Sequence, residues 1–335
     1  MNISVSILVP VCNVEKFLDK CLKSIVKQSL KNIEIICIND GSKDNSLKII
    51  EFYAQKDNRI KIINKDNSGY GDSMNKGLAF AKGDYIGIVE SDDFVDSNMF
   101  EVLYQYAQEY KADVVKSSFN FYWENPEKIV YNNSFDIDKV SINFEINKNK
   151  LIKSIPSIWA AIYKREWLIN ENIKFLDTPG ASYQDTSFHF KTSCLAKNIV
   201  LLPEAYLYYR QDNPNSSVKL AGFDKVFALH RELDEIRIFI DKLNINNMEE
   251  ILSYYYKMKL DKFMWNYGRI SEEDKNKYFN VLSKDIEKLQ NEWNKYLNTN
   301  AGLVKYCEYL CIKYDSKPIL DFLFVLRNVK RKLMN

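Results

Sequence analysis

At 335 residues, 46% hydrophobic and 27% charged, the chain is long enough to bury one large core or two smaller ones. Its 47 Lys and Arg against 45 Asp and Glu give a formal charge of +2, too even a balance to expect nucleic acid as a partner. No run approaches the roughly 20 apolar residues of a membrane-spanning helix, and "MNISVSILVPV" lacks the basic start and cleavage site of a signal peptide, so a cytoplasmic location is expected. The six cysteines show no disulfide-framework spacing. Cys307 and Cys311 stand one helical turn apart, but with only two histidines in the chain buried thiols are expected rather than a zinc site.

The first 120 residues alternate two patterns. "VSILVPV" (5–11) is apolar and β-branched, and "VEKFLDKCLKSIVKQ" (14–28) repeats its apolar residues at helical spacing. "IEIICIND" (33–40) reads as strand and "SKDNSLKIIEFYAQK" (42–56) as helix with Ser42 as its N-cap. "RIKII" (59–63), "GDSMNKGLAFAK" (71–82), "DYIGIVE" (84–90), "SNMFEVLYQYAQEY" (97–110) and "DVVKSSF" (113–119) continue the alternation. Short apolar strands separated by amphipathic helices predict an α/β fold with a mostly parallel sheet, whose ligands lie beyond the carboxyl ends of the strands.

From 121 to 150 the chain is polar and rich in Asn and Lys, which predicts a surface excursion. "SIWAAIYKREWLI" (157–169) predicts a helix, "FLDTPGASYQD" (175–185) a loop, "TSFHFKTSCLAK" (186–197) a helix and "IVLLPEAYLYYR" (199–210) a strand. Beyond Phe223 the pattern is almost wholly helical. A boundary is placed at 220, with 1–120 and 121–220 as two halves of one domain and 221–335 as a helical region. The last nine residues, "RNVKRKLMN", hold four cations after the apolar "PILDFLFVL", the pattern of either a solvated tail or a peripheral contact with anionic lipid.

The unusual chemistry follows the strands. In "DYIGIVESDDFVD" an apolar run ends in Glu90, Asp92 and Asp93, with Asp96 close behind. On an extended strand end Glu90 and Asp92 would point the same way. Converging hard oxygens suit Mg²⁺ or Mn²⁺, which usually takes one or two protein carboxylates plus substrate phosphates. A capping aspartate before the helix near Ser97 would explain one of these acids, not the cluster. "NDGS" (39–42) places Asp40 just past a strand, where it could accept from a base or ribose, although turn chemistry alone also favours those residues. Gly69 and Gly71 precede a helix, but Met74 breaks the dinucleotide fingerprint; such a loop can still bring backbone donors to a diphosphate. Asp185 is either a helix N-cap or a general base, and His189 on its apolar stripe is a packed side chain.

These blocks, in this order, resemble the family 2 inverting glycosyltransferases of GT-A fold. "ILVPVCN", "IEIICINDGSKDNS", "NSGYGDSMNKGL", "GDYIGIVESDD", "SYQDTSFHF" and "YLYYRQDNPNSSV" carry the similarity over residues 1–218. The resemblance implies that Pro10, Val11, Cys12, Asn13 and Glu15, with Asp40, hold the base and ribose of a nucleotide-sugar donor, and Asp40 favours UDP. It places Asn67, Gly69, Gly71, Asn75, Glu90, Ser91 and Asp92 along the same donor, Asp92 and Asp93 at a divalent cation (Mn²⁺ or Mg²⁺), and Asp185 as the catalytic base. Arg210 and Ser216, with Ser217, match a segment that closes over donor phosphates. Three residues depart from the pattern: Cys12 stands where an aromatic commonly stacks on the base, Glu90 replaces the first Asp of Asp-x-Asp, and Gln184 replaces the Glu before the base. A metal-dependent inverting transfer to a hydroxyl of a glycan or glycolipid is the expected activity, in building cell-surface polysaccharide or glycoconjugate. Trp159, Tyr163, Trp167 and Tyr183 offer aromatic faces for an acceptor sugar, with core packing the stronger expectation for the first three. A nucleotidyltransferase would open with a basic Gly-rich loop, which "PVCNVEKF" lacks, and a non-catalytic sugar-nucleotide-binding subunit is the other alternative.

Overall fold

The computed structural model describes residues 3–214, 216, 223–243, 248–297 and 302–334, the side chains of 223, 224 and 326–334 apart. Ser217, the expected boundary at 220 and the side chains of the basic tail therefore lie outside the described residues. Two strands open the fold, β1 (Val5–Val11) and β2 (Ile33–Asp40), buried at every position, which is why both read as largely apolar runs rather than alternating ones; the buried Ser6 and Glu34 that interrupt them bond to each other. They run parallel, Val5 opposite Ile33 through Val11 opposite Asn39. Between them α1 (Glu15–Val26) buries Leu18, Cys21, Leu22 and Ile25, one face at i, i+3, i+4 and i+7. Next come α2 (Ser46–Lys56), β3 (Ile60–Lys65), α3 (Tyr70–Phe80) and β4 (Tyr85–Ile88). They complete a parallel set in the order β3-β2-β1-β4.

The chain continues through β5 (Phe94–Val95), α4 (Met99–Glu109), β6 (Val114–Glu124), β7 (Glu127–Asn132), α5 (Phe144–Lys153), β8 (Ala161–Lys164), α6 (Arg165–Asn170), α7 (Gln184–Leu195) and β9 (Ile199–Arg210). The sheet extends as β4-β8-β6-β9-β5, with β7 paired to β6. β8 is antiparallel to both neighbours, β9 is parallel to β6, and β5 and β7 run against their partners, so six of the nine strands share one direction. The C-terminal ends of β1, β2 and β4 therefore open on one edge, the crevice where strand order reverses about β1.

Four expectations need correction. The stretch 157–169 is not one helix: Tyr163 sits on β8 opposite Ile86 of β4, and Trp167 belongs to α6. Trp159, Tyr163 and Trp167 are all buried, but they reach the core from different elements. The polar excursion at 121–150 is largely ordered as the end of β6, the edge strand β7 and α5. Ser42 does not cap α2; its Oγ accepts from Asn13 N–H at 3.1 Å, and the helix begins four residues later at Ser46, whose N–H donates to Asp44 Oδ1. Finally, β4 ends at Ile88, and Glu90–Asp93 is a turn closed by Asp93 N–H donating to Glu90 O at 3.0 Å. The strand alternation that aligned Glu90 with Asp92 does not apply there.

The chain divides into two compact units, Met1–Ser216 and Ser217–Asn335. In the second, α8 (Phe223–Lys242), α9 (Met248–Tyr267), α10 (Glu272–Lys288), α11 (Gln290–Tyr296), α12 (Leu303–Lys313) and α13 (Lys317–Met334) follow one another. Their core holds Tyr255, Tyr256, Phe263, Trp293 and Tyr309, and a buried ion pair joins Lys259 to Asp285 at 2.7 Å. Cys311 is buried and Cys307 half-buried, both as free thiols. No helix among the described residues is long and apolar enough to cross a membrane.

Candidate active site

The loop after β1 and the loop after β2 are tied to each other. Asn13, in the left-handed region at φ 52°, takes the Lys43 N–H on Oδ1 at 2.7 Å, and Val14 N–H donates to Ser46 Oγ at 3.0 Å. Glu15 N–H donates to Asp44 Oδ2, while Glu15 Oε2 accepts both N–H groups of Asn45 at 2.8 Å. Glu15 is therefore engaged in joining two helix starts, a shaping task rather than the donor contact expected of it.

Asp40, at the end of β2 and 6% exposed, is the anchor of this edge. Its Oδ1 accepts from Ser68 N–H at 2.8 Å and its Oδ2 from Gly69 N–H at 3.0 Å, and Lys65, its partner across to β3, forms an ion pair with it. Asn67 donates to Asp40 O at 2.9 Å and to Cys12 Sγ at 3.4 Å. A carboxylate offers about four lone-pair positions. Three are used, and one on Oδ2 is left for a ligand donor. Pro10 and Val11 are buried in β1, with exposed Cys12 and Asn13 at the rim beside Asn67.

The two glycines have a different cause from the one expected. Gly69 (φ 102°) and Gly71 lie under the 175–180 loop, and a Cβ on Gly71 would come within 2.0 Å of Leu176 O. Gly69 N–H is committed to Asp40 and Tyr70 N–H to Gly180 O at 2.9 Å. These two donors hold protein, not diphosphate. Asn75 is likewise engaged, donating to Phe175 O at 2.9 Å and accepting from Phe175 N–H at 3.0 Å. The loop is thus pinned on α3. Gln184 holds its far end, donating to Thr178 Oγ1 at 3.1 Å and Gly180 O at 3.3 Å and accepting from Ser182 N–H at 2.7 Å. A glutamate could not donate to those oxygens, which gives the departure at Gln184 a physical reason.

That pinning delivers Asp185 to the acids after β4. Asp185 lies in the first turn of α7, not at its N-cap, which is Tyr183 in the left-handed region at φ 71°. Burial raises the phenols of Tyr70 and Tyr209 and the carboxyl of Glu90, and the Asp185 charge adds to each. Burial, with help from Asp92 and Asp185, lifts Glu90 to about 8 against the opposing hydrogen bond from Tyr70 OH at 2.7 Å. Asp92 accepts from Asn213 Nδ2 at 2.8 Å, and burial raises it in spite of that bond and of Arg210. Asp93, 1% exposed, accepts from Arg210 N–H at 2.8 Å on Oδ1, while its Oδ2 is buried with no partner; burial, then Asp92, raises it well above the usual range. Ser91 is buried in the same turn.

The Arg210 side chain is buried against this cluster. Its Nε donates to Asp92 O at 3.0 Å, Nη1 donates to Glu124 and Asp212 at 3.0 and 3.2 Å, and its plane lies 4.5 Å over the Phe17 ring. With 1% of its side chain exposed, it is a fixed internal cation in place of the phosphate clamp expected. Ser216 N–H donates to Asn213 O, at the edge of the described loop. Sequence reasoning missed Tyr70, Tyr209 and Asn213. All three lie inside quoted blocks, yet nothing in one sequence separates them from packing residues.

Among the described residues, no three His, Cys, Asp or Glu side chains form a self-sufficient metal cage. Asp92 and the orphaned Oδ2 of Asp93 fit a hard divalent cation whose remaining ligands arrive with a substrate, as Mg²⁺ sites usually do.

A sheet edge carrying Asp40, an acid cluster after β4 and a carboxylate in the first turn of α7 fits a GT-A-type glycosyltransferase architecture. The model of the family described as "Glycosyl transferase family 2" matches residues 6–170. Glycosyltransferase GlyG of Streptococcus pneumoniae is 32% identical over 256 residues, 73% of this chain and 81% of that protein. The uncharacterized glycosyltransferase EpsJ of Bacillus subtilis is 33% identical over 221 residues, 64% of this chain, which spans 63% of the length of EpsJ. The crystal structure of residues 1–349 of S. aureus TarS superposes with a TM-score of 0.73 at 20% identity, covering 98% of this chain and 91% of that one. The chain belongs to glycosyl transferase family 2, and it is a glycosyltransferase with the GT-A fold.

Proposed function

We propose that this protein transfers a sugar from a nucleoside-diphosphate donor, UDP-linked, to a hydroxyl of a glycan or glycolipid acceptor, with inversion, in the assembly of a cell-surface polymer. The observation that carries this reading is the convergence of Glu90, Asp92, Asp93 and Asp185 beyond the carboxyl end of β4, beside the Asp40 rim. Relatives support the polymer: one is named a poly(ribitol-phosphate) beta-glucosyltransferase from Bacillus spizizenii. The TarS fold has been solved with UDP and with UDP-GlcNAc, which supports the donor class.

In this reading the free lone pair of Asp40 Oδ2 accepts from the base, and Cys12, Asn13 and Asn67 form the rim around it. Asp92, with Asp93, would hold Mn²⁺ or Mg²⁺, which when bound supplies Lewis-acid stabilisation of the departing diphosphate. Asp185 takes the proton of the attacking acceptor hydroxyl as general base. One in-line displacement needs no covalent nucleophile, so inversion follows. The helical unit, 221–335, serves acceptor or partner binding. There α13 presents exposed Ile319, Phe322 and Val325 ahead of the basic tail, which supports a peripheral contact with the inner membrane face.

A panel of UDP- and GDP-sugars with Mn²⁺ tests the reading by thermal shift and donor hydrolysis. Stabilisation by UDP-sugars that needs both metal and Asp92 is expected. Metal-independent binding, or full transfer by a folded Asp185→Asn protein, overturns it.

A further inference from the structure

Phe119, Phe121 and Trp123 recur at every second position of β6 and so lie on one face of the strand. Phe121 stands opposite Tyr209 of β9 with their rings 6.2 Å apart, and the Trp123 ring follows 6.4 Å from that of Phe121. Trp159, just ahead of β8, lies 4.9 Å from Tyr209 and 4.7 Å from Phe119. The rings differ in exposure. Phe119 and Trp159 are buried and brace the row, whereas Tyr209, Phe121 and Trp123 are half-buried and keep surface in solvent. We propose that Tyr209, Phe121 and Trp123 form an acceptor track, on which successive pyranose rings of a glycan chain stack while its terminal hydroxyl is held at the acids. The proposal rests on the reading of those acids as the transfer site, and deepens it by making the acceptor a chain rather than a single sugar.

The near end of the row is fixed to the acids by backbone pairing. β5 and β9 run antiparallel with Phe94 opposite Tyr208, which sets Tyr209 beside Asp93, and the next residue holds that register, Arg210 N–H donating to Asp93 Oδ1 at 2.8 Å. Burial, then the charges of Asp93, Asp92, Asp185 and Glu90, raise the Tyr209 phenol, as a group bordering those acids requires. The far end is the β6–β7 hairpin, where Lys128, opposite Trp123, stands 5.2 Å over its ring. A pyranose offers one face of C–H groups and directs its hydroxyls outward, and that face packs on the electron-rich surface of an aromatic ring. Steps of 6.2 and 6.4 Å between rings give each sugar of a chain a ring of its own. Core packing accounts for Phe119 and Trp159. It does not account for three rings set in line from the acids with surface in water, since contiguous apolar surface, unlike scattered side chains, marks a binding site.

The test uses the full chain with fluorotryptophan at its five tryptophans, observed by ¹⁹F NMR without metal or nucleotide. The signal missing from Trp123→Leu belongs to Trp123. Cellotetraose, chitotetraose and maltotetraose are titrated beside glucose and N-acetylglucosamine. At least one tetraose should shift the Trp123 signal and bind at least about tenfold more tightly than its monosaccharide, because only a chain spans more than one ring. The Trp265 and Trp293 signals, from the helical unit, should stay in place. Trp123→Leu keeps an apolar side chain and should weaken that tetraose by about tenfold, read from the signals of the sugar itself. No shift of Trp123 with any tetraose, equal affinity for tetraose and monosaccharide, or full affinity in Trp123→Leu overturns the track. No donor takes part in these titrations, so a failure of the donor or base assignment appears in the UDP-sugar panel and in Asp185→Asn instead.

Discussion

Replacing Asp40 by Asn tests whether this carboxylate serves the fold, the nucleotide or both. Asp40 and Lys65 pair with only 8% and 9% of their side chains exposed, and the two Asp40 oxygens accept from Ser68 and Gly69 N–H. Asn keeps one acceptor and turns the other oxygen into a donor, so one of those two backbone N–H groups must face an N–H. The lost bond to a charged acceptor is worth about 1.5–3 kcal/mol, and a buried donor left unpaired costs about 1–3 more. Lys65 keeps Asp72 at 3.0 Å, which spares it full isolation. The net expectation is about 3 kcal/mol, read from urea unfolding followed by tryptophan fluorescence. The same variant, assayed where it is fully folded, should bind UDP at least about tenfold more weakly, equivalent to about 1.4 kcal/mol. A stability loss under about 1 kcal/mol would refute the hydrogen-bond accounting. Unchanged UDP affinity would refute the base contact while leaving the structural network intact.

Gly71→Ala forces a Cβ to 2.0 Å from Leu176 O and should cost about 3 kcal/mol or displace the 175–180 loop, seen as raised amide exchange there. Gln184→Glu sets a carboxylate against Gly180 O and should lower stability by about 1–3 kcal/mol in thermal unfolding, although it restores the residue the family pattern carries. Glu90 binds its proton from the ordinary value of 4.5 up to about 8 in the folded state. The unfolded chain releases that proton earlier, so metal-free stability should fall as pH rises through this window, by about 3 kcal/mol once partial solvent contact is allowed for, and Glu90→Gln should flatten the slope. Arg210→Met strips Asp92 and Asp93 of their internal cation; metal-free stability should drop by about 3 kcal/mol, more at pH 8 than at pH 5, and an equal loss at both would contradict the assigned role.

How far the fold was legible depended on burial. β1 and β2 begin and end where the sequence pattern predicts, because a fully buried parallel strand leaves a nearly continuous apolar run; β9, only partly buried, also matches its predicted bounds. The stretch 157–169 misled for the opposite reason. Trp159, Tyr163 and Trp167 recur every four residues and are all core, but a short strand running into a short helix produces the same spacing. β7 escaped notice because it is an edge strand with most residues exposed, so no apolar face marks it. α7 buries ten of its twelve residues, including Thr, Ser, His and Lys, and so shows no stripe. At the site, acids after strands were visible as types at positions. Their partners were not, because whether Arg210 reaches outward to phosphate or inward to Glu124 depends on β9 packing beside β5, a contact 117 residues distant in sequence from Asp93.

The crowding of acids after β4 has an internal solution that is incomplete. Glu90, lifted to about 8 and bonded to Tyr70, carries its proton at neutral pH and adds little repulsion. Asp93 leans on the Arg210 N–H. Asp92 accepts from the neutral amide of Asn213, and the Arg210 guanidinium that also favours its charge is shared with Glu124 and Asp212. Negative charge is therefore incompletely compensated at Asp92 and at the orphaned Oδ2 of Asp93 beside it. A cation entering with a diphosphate would find its strongest attraction there, and the protein would hold it loosely until the phosphates completed the coordination. On this argument metal and nucleotide bind cooperatively: Mn²⁺ affinity should rise when UDP is present, and UDP affinity should rise by the same factor when Mn²⁺ is present.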